Sequence, residues 1–276
     1  MKEETDIPIL DDPLSLRGKV AIITGGGTGI GAETARVFVR HGAEGVVLAA
    51  RTEADLESVA AQLQTIAKDA GNTALRVLPL RTDVKDEASV VSMVKRTMAE
   101  FGRIDVLVNN AGGTRMSPLE TMSSRAWEAV VGLNMTGPFL CTREAGQHMI
   151  AARSGVIVNV SSGAGVTGVR NGAGYSAAKA GLQMFTRVTA AEWGRYGIRA
   201  NCIAVGAVAS ERASAAWEVA KLDTSSMARG SALGRLGGPS DIAYPILFLS
   251  TDASSFVSGQ TFSADGGPGL GGPDPD

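Results

Sequence analysis

Tyr175 and Lys179 stand four residues apart in the segment "YSAAK". On a helix that spacing projects both side chains from one face, where their charges couple. A phenol ordinarily titrates near pH 10, and bringing it to ~7 takes roughly 4 kcal/mol. One ammonium ~4 Å away supplies about that much at an effective dielectric near 20. A phenol tuned in this way can pass a proton to or from an oxygen at neutral pH. The same spacing also describes an ordinary amphipathic pair on a helix surface, so the weight rests on what accompanies it.

What accompanies it is a glycine loop, "TGGGTGIG", residues 24–31, placed between the apolar run "KVAII" and the helical pattern "AETARVFVRHG". Glycine there permits a sharp turn and lets backbone N–H groups approach an anion at the positive end of a helix dipole. A pyrophosphate fits that description; a tight turn that binds nothing would read the same if the loop stood alone. Twenty positions after Gly31, at the end of the second apolar run, stands Arg51. A dinucleotide-binding fold places there the residue that meets the adenosine ribose. A carboxylate would accept from a free 2′-OH, whereas a guanidinium attracts a 2′-phosphate. Arg51 therefore favours NADP(H), with NAD(H) as the alternative, and Glu53 nearby would blunt its charge.

The elements needed to position these residues are legible as an alternation of short apolar runs with longer helical patterns, which predicts βαβ units and a parallel sheet. Strands are expected at "KVAIIT", "GVVLAA", "ALRVLPL", "IDVLVNN", "GVIVNVSS", "IRANCIAV" and "GQTFSAD". Helices are expected in between. In the first, Ile30, Thr34, Val37 and Phe38 form an inward stripe ended by Gly42; in the second, Leu56, Val59, Ala60 and Leu63 do the same behind a Thr52/Asp55 capping box. One long helix is expected from about Ser124 to Ile150, another from about Tyr175 to Tyr196, and an irregular stretch runs to Gly238 before the helix "SDIAYPILFLST". The fold class is α/β: a doubly wound, seven-stranded parallel sheet with helices on both faces. The expected organisation is an acidic N-terminal tail over 1–16, a single domain over 17–267, and a Gly/Pro-rich tail over 268–276.

The 276 residues carry a net charge of −2 with 44% hydrophobic and 20% charged residues, the composition of one folded domain. No basic footprint for nucleic acid stands out, and no run of apolar residues is long enough to span a bilayer. The N-terminus lacks the apolar core of a secretory signal, so a cytoplasmic location is expected. Cys141 and Cys202 have no metal-binding spacing and read as buried thiols, and His41 and His148 fall in helical patterns, so no metal site is expected.

The spacing TGxxxGxG, "DV" at Asp83, "NNAG" at 109–112 and "YSAAK" at 175–179 together make the chain, from about Leu16 to Gly267, resemble the classical short-chain dehydrogenase/reductase family. The resemblance implies a Rossmann-type fold, a nicotinamide cofactor, a small-molecule carbonyl or alcohol substrate and a homotetramer. Carried onto this chain, Thr24, Gly25, Gly29, Ile30 and Gly31 would hold the pyrophosphate, Asp83 and Val84 the adenine edge, and Asn110, Ala111 and Gly112 the adenosine-side ribose. Tyr175 and Lys179 would meet the nicotinamide ribose. Ser162, thirteen residues before Tyr175, would be the catalytic serine in preference to Ser161, and Asn134 in "GLNMTGPF" the fourth catalytic member, ordering a water beside Lys179.

Two departures bear on function. The family commonly reads Pro-Gly after the sixth strand; here Val205-Gly206 stands there, with Gly206, Val208 and Ser210 as the implied carboxamide contacts. Residues 207–238 would be the substrate lid, carrying Trp217, Val219, Leu222, Met227 and Leu233. The stretches at 109–137 and 201–210 look like those of peroxisomal 2-enoyl-CoA and 2,4-dienoyl-CoA reductases, which depart from the serine–tyrosine motif that this chain keeps. The implied activity is thus an NADP(H)-dependent interconversion of a ketone and a secondary alcohol, an acyl thioester being one candidate substrate. Enoyl reduction is the alternative, and a non-catalytic NADP(H) sensor the alternative of another class.

Overall fold

A computed structural model describes residues 12–268. Seven strands, β1 (Val20–Thr24), β2 (Gly45–Ala50), β3 (Arg76–Arg81), β4 (Val106–Asn109), β5 (Gly155–Ser162), β6 (Ile198–Val205) and β7 (Thr261–Ala264), form one sheet in the order 3-2-1-4-5-6-7. All neighbouring pairs are parallel. The order reverses between β1 and β4, and in such sheets the crevice beyond the strands' carboxyl ends at that point is where a ligand sits. The glycine loop leaves β1 there, and "NNAG" leaves β4 beside it.

Helices α1 (Gly29–Arg40), α2 (Glu53–Asp69), α3 (Glu87–Phe101), α4 (Ser124–Val131), α5 (Gly137–Ala152), the single turn α6 (Ala164–Thr167), α7 (Ala173–Trp193), α8 (Glu211–Val219), α9 (Thr224–Arg229) and α10 (Pro239–Ser250) complete the fold. Two apolar clusters line the two sheet faces. One joins Val37, Phe38, Leu48, Leu56 and Leu63 to Ile242, Ile246 and Leu249; the other joins Ile22, Val47, Leu107, Met93, Val94, Leu140 and Met149. The central strands therefore read as near-continuous apolar runs because both of their faces are covered, whereas the edge strands β3 and β7 are partly exposed.

The helical stripes fall as expected, with Thr34, Val37 and Phe38 of α1 and Leu56, Val59 and Leu63 of α2 buried, although Ile30 and Ala60 are only partly so. Gly42 closes α1 at φ +86°. Three expectations need correction. Thr52 is the N-cap of α2 but its side chain makes no cap bond, so the capping box is absent. The long helix is broken by a π-helical turn, Gly132–Thr136, between α4 and α5. The stretch before Gly238 is irregular only in part: Ser210 Oγ accepts from Ala213 N to start α8, and Asp223 Oδ1 accepts from Ser226 N to start α9, with irregular chain on either side of them. Those capping residues outweigh the low apolar content that made the segment look structureless.

The expected N-terminal tail lies outside the described residues up to position 11, and the C-terminal one from 269 onward. Packing begins before Arg17: Leu16 is buried in the core and its N–H donates to the His41 carbonyl at 2.8 Å. Among the described residues no helix is long and apolar enough to cross a membrane, and no cluster of metal-ligating side chains occurs. Both cysteines are buried and free.

Candidate active site

Tyr175 lies in the first turn of α7 and Lys179 one turn on, so the helix brings both to the carboxyl ends of β5 and β6. The Lys179 ammonium is 5.8 Å from the centre of the Tyr175 ring and donates to the Val160 carbonyl at 2.8 Å. Ser162, the last residue of β5, stands close enough to Tyr175 to favour its phenolate, while its Oγ accepts from Ala164 N at 3.2 Å. Ser161 points the other way: its Oγ donates to the Lys179 carbonyl at 2.9 Å and is buried. Strand alternation therefore separates the two serines and leaves Ser162 at the phenol.

The expected depression of the phenol is not realised in the chain by itself. Burial pushes Tyr175 above its ordinary value, and the neighbouring Ser162 hydroxyl opposes that only in part. Burial likewise pulls Lys179 down to about 8. Burial is the largest influence on both groups, and no attraction between phenolate and ammonium offsets it.

Asn134 is held in the π-turn, a distortion that recurs at functional sites. Its amide donates to the Gly113 carbonyl at 2.8 Å and the Val130 carbonyl at 2.9 Å, while its Oδ1 accepts from Gly113 N at 3.2 Å. Gly112 sits between it and the lysine: a Cβ there would lie 3.0 Å from Asn134 Oδ1 and 3.3 Å from Lys179 Nζ. The four expected catalytic residues thus converge around the end of β5 and the "NNAG" loop.

The cofactor loop fits an anion. Gly25 and Gly29 adopt φ +68° and +56°, a region that favours glycine, and a Cβ on Gly31 would meet the Gly25 carbonyl at 2.3 Å. Thr28 is the N-cap of α1 yet makes no side-chain cap bond, which leaves first-turn N–H groups for a ligand. Ile30 is part-buried within that turn. Thr24 plays an internal part: its hydroxyl donates to the Val108 carbonyl and accepts from Asn110 N and Ala111 N, both at 3.0 Å. The Asn110 amide in turn donates to the Thr24 and Gly25 carbonyls. These two residues fasten the loop to β4.

Beside the loop a pocket is lined by Ala49, Ala50 and Arg51 from β2 and its end, and by Asp83, Val84, Ala111 and Gly112 from the following loops. The expected adenosine-side residues are therefore neighbours. Reading the sequence missed Thr28, Thr82, Leu133, Asp55 and Arg212 in the same wall. It also missed Gln183, which stands a further turn beyond Lys179 and donates to Ser161 Oγ at 3.1 Å and the Ser162 carbonyl at 3.3 Å. The continued i, i+4 spacing 175–179–183 was the available signal for Gln183.

At the far side of the crevice Val205 remains a strand residue, paired with Ser162 and Ala264. The turn after it is set by Gly206, where a Cβ would lie 2.6 Å from Asp265 Cα. Val208 is buried against Gly237, and the Ser210 hydroxyl caps α8. In the segment expected to form a lid, the apolar residues are largely outward: Val219 and Leu233 are exposed, and Trp217 and Met227 partly so.

Comparison with known proteins agrees with this geometry. The family model for short chain dehydrogenases matches residues 19–220. The chain is 42% identical over 253 residues to a cis-4-hydroxycyclohexanecarboxylate dehydrogenase of Sinomonas cyclohexanicum, covering 90% of this chain and 96% of that protein. It is 38% identical to a 3-oxoacyl-[acyl-carrier-protein] reductase of Synechocystis sp., covering 92% and 98%, and 36% identical to a peroxisomal 2,4-dienoyl-CoA reductase of Pongo abelii, covering 94% and 86%. A crystal structure of a short-chain type dehydrogenase/reductase from Mycobacterium marinum superimposes with a TM-score of 0.81 at 29% identity, covering 92% of this chain and 97% of that one.

Proposed function

The chain belongs to the short-chain dehydrogenase family, and on that premise we propose that this oxidoreductase interconverts a ketone and a secondary alcohol with NADP(H), using Tyr175 as the proton donor and acceptor. The observation that carries the reading is the meeting of Ser162, Tyr175 and Lys179 beside the glycine loop. When bound, the nicotinamide supplies or takes the hydride.

The chain's own residues do the rest. Burial keeps the Tyr175 phenol protonated at neutral pH, the form needed to donate to an oxygen as it gains charge. Ser162, which stands beside that phenol, would supply the second contact to the same oxygen. Lys179, charged below about pH 8, holds a positive charge under the phenol and would grip the nicotinamide ribose. Asn134 fixes the Gly113 backbone beside them and would order a water next to Lys179. Gly206, Val208 and Ser210 form the turn that would face the carboxamide, and Arg51 would meet a 2′-phosphate. The Sinomonas relative, a dehydrogenase of a cyclic alcohol by name, and the 3-oxoacyl reductases support carbonyl chemistry. Resemblance to the dienoyl-CoA reductase supports C=C reduction as a second reading.

NADPH oxidation measured in parallel with 3-oxoacyl thioesters, enoyl thioesters and simple ketones separates these readings. Tyr175→Phe is expected to abolish ketone reduction while NADPH still binds; undiminished turnover would remove Tyr175 from the mechanism. Cofactor binding without turnover of any substrate would favour a sensor.

A further inference from the structure

One residue of the adenosine-side pocket comes from the lid. Arg212, in the first turn of α8, lines the same cavity as Arg51, and it is the lid's contribution to that wall. The segment is seated close by, since a Cβ on Gly29 would lie 3.2 Å from Ser210 Cβ. The Arg212 guanidinium reaches across to Asp55 of α2, Nη2 to Oδ2 3.8 Å, with Arg212 exposed and Asp55 partly so. A long, single-point, solvent-exposed ion pair contributes little to stability and is readily exchanged for a better partner. Asp55 itself backs onto the glycine loop, where a Cβ on Gly27 would lie 3.0 Å from its Cβ. Left alone, that carboxylate would repel a phosphate placed near Arg51.

We propose that Arg212 is a second determinant of cofactor specificity: it binds the 2′-phosphate of NADP(H) opposite Arg51, neutralises Asp55, and thereby couples phosphate recognition to closure of the lid. The proposal rests on the NADP(H) reading above. Two guanidiniums on separate elements around one phosphate form charge-assisted hydrogen bonds that a free 2′-hydroxyl cannot replace. A cofactor bearing the phosphate therefore fastens α8 to the pocket, whereas one lacking it leaves Arg212 with only its weak contact to Asp55.

The test uses binding and protection rather than turnover. Calorimetry with 2′,5′-ADP and with ADP, on wild type, Arg212→Gln, Arg212→Lys and Arg51→Gln, reads the phosphate contact. Digestion with a lysine-specific protease at Lys221, between α8 and α9, reads the lid. Arg212→Gln should weaken 2′,5′-ADP roughly tenfold or more, leave ADP nearly unchanged, and remove the protection of Lys221 that 2′,5′-ADP gives wild type. Arg212→Lys, which keeps the charge and loses the fork, should fall between. If Arg212→Gln keeps both affinity and protection while Arg51→Gln loses 2′,5′-ADP binding, the role of Arg212 is overturned and the NADP(H) reading stands. Equal weakening of both ligands by Arg212→Gln also overturns it. If wild type binds ADP as tightly as 2′,5′-ADP, the NADP(H) reading fails, and the proposal with it.

Discussion

Lys179 is a buried cation held near a neutral phenol, and its titration has a definite consequence. Burial lowers it from 10.5 to about 8, so between those values the unfolded chain carries a proton that the folded chain has released. Stability contributed through this group therefore rises with pH across that window, and its cost is fully present below about 8. Lys179→Met should be more favourable, relative to wild type, at pH 7 than at pH 10. Urea unfolding of both proteins across that range checks this; Cys141 and Tyr175 titrate with the opposite sign in both chains, and a Cys202→Ser background removes the thiol that the Lys179 charge itself shifts. A constant difference would mean that Lys179 is not desolvated. At the other end of the cofactor crevice, Arg51→Asp should shift preference from NADPH toward NADH, read as the ratio of the two dissociation constants; an unchanged ratio would contradict the phosphate contact.

At the scale of elements, the β1–α1 junction depends on close backbone approach. A methyl on Gly31 would meet the Gly25 carbonyl at 2.3 Å and the Asn110 amide at 2.6 Å. Gly31→Ala should cost about 1–3 kcal/mol, lowering Tm by about 2–4 °C for each kcal/mol in a domain of this size. It should weaken cofactor binding as well, and a Tm equal to wild type would show that the junction relaxes freely. The π-turn serves the site in a different way. Its interruption of the 124–152 helical run lets Asn134 reach the Gly113 backbone, which an unbroken helix predicted from pattern alone did not provide. Helices α8 and α9 depend on Ser210 and Asp223 as caps, so a serine that reads as a carboxamide contact is already engaged in starting α8.

Across the whole molecule, α5 and α7 present Phe139, Met184 and Val188 outward, and α10 and β7 present Tyr244, Phe248 and Phe262. The proposed homotetramer would cover these. Ala177 and Ala180 are exposed on α7, whereas Ala178 is buried and Gly181 faces Met135 inside the chain. Light scattering should give a mass of four chains, and Met184→Lys should lower it; a monomer in wild type would refute the assembly.

The sequence by itself determined the seven strands, because a sheet covered on both faces demands apolar runs in its interior, and for three of them also the ends: β2, β5 and β6 coincide with the runs at 45–50, 155–162 and 198–205, whereas β1, β3, β4 and β7 begin one or two residues later than their runs. It also determined the glycine loop and the Tyr175/Lys179 spacing, which are local. Only the tertiary structure decided what depends on separate segments meeting. Desolvation of Tyr175 and Lys179 arises from the elements packed around them, and the choice of Ser162 over Ser161 from which side of β5 α7 occupies. Arg212 and Asp55, 157 positions apart, share a wall only because the start of α8 comes beside the start of α2. Periodicity reports which face of an element is apolar; it carries no information about which charged group from a distant element will stand opposite.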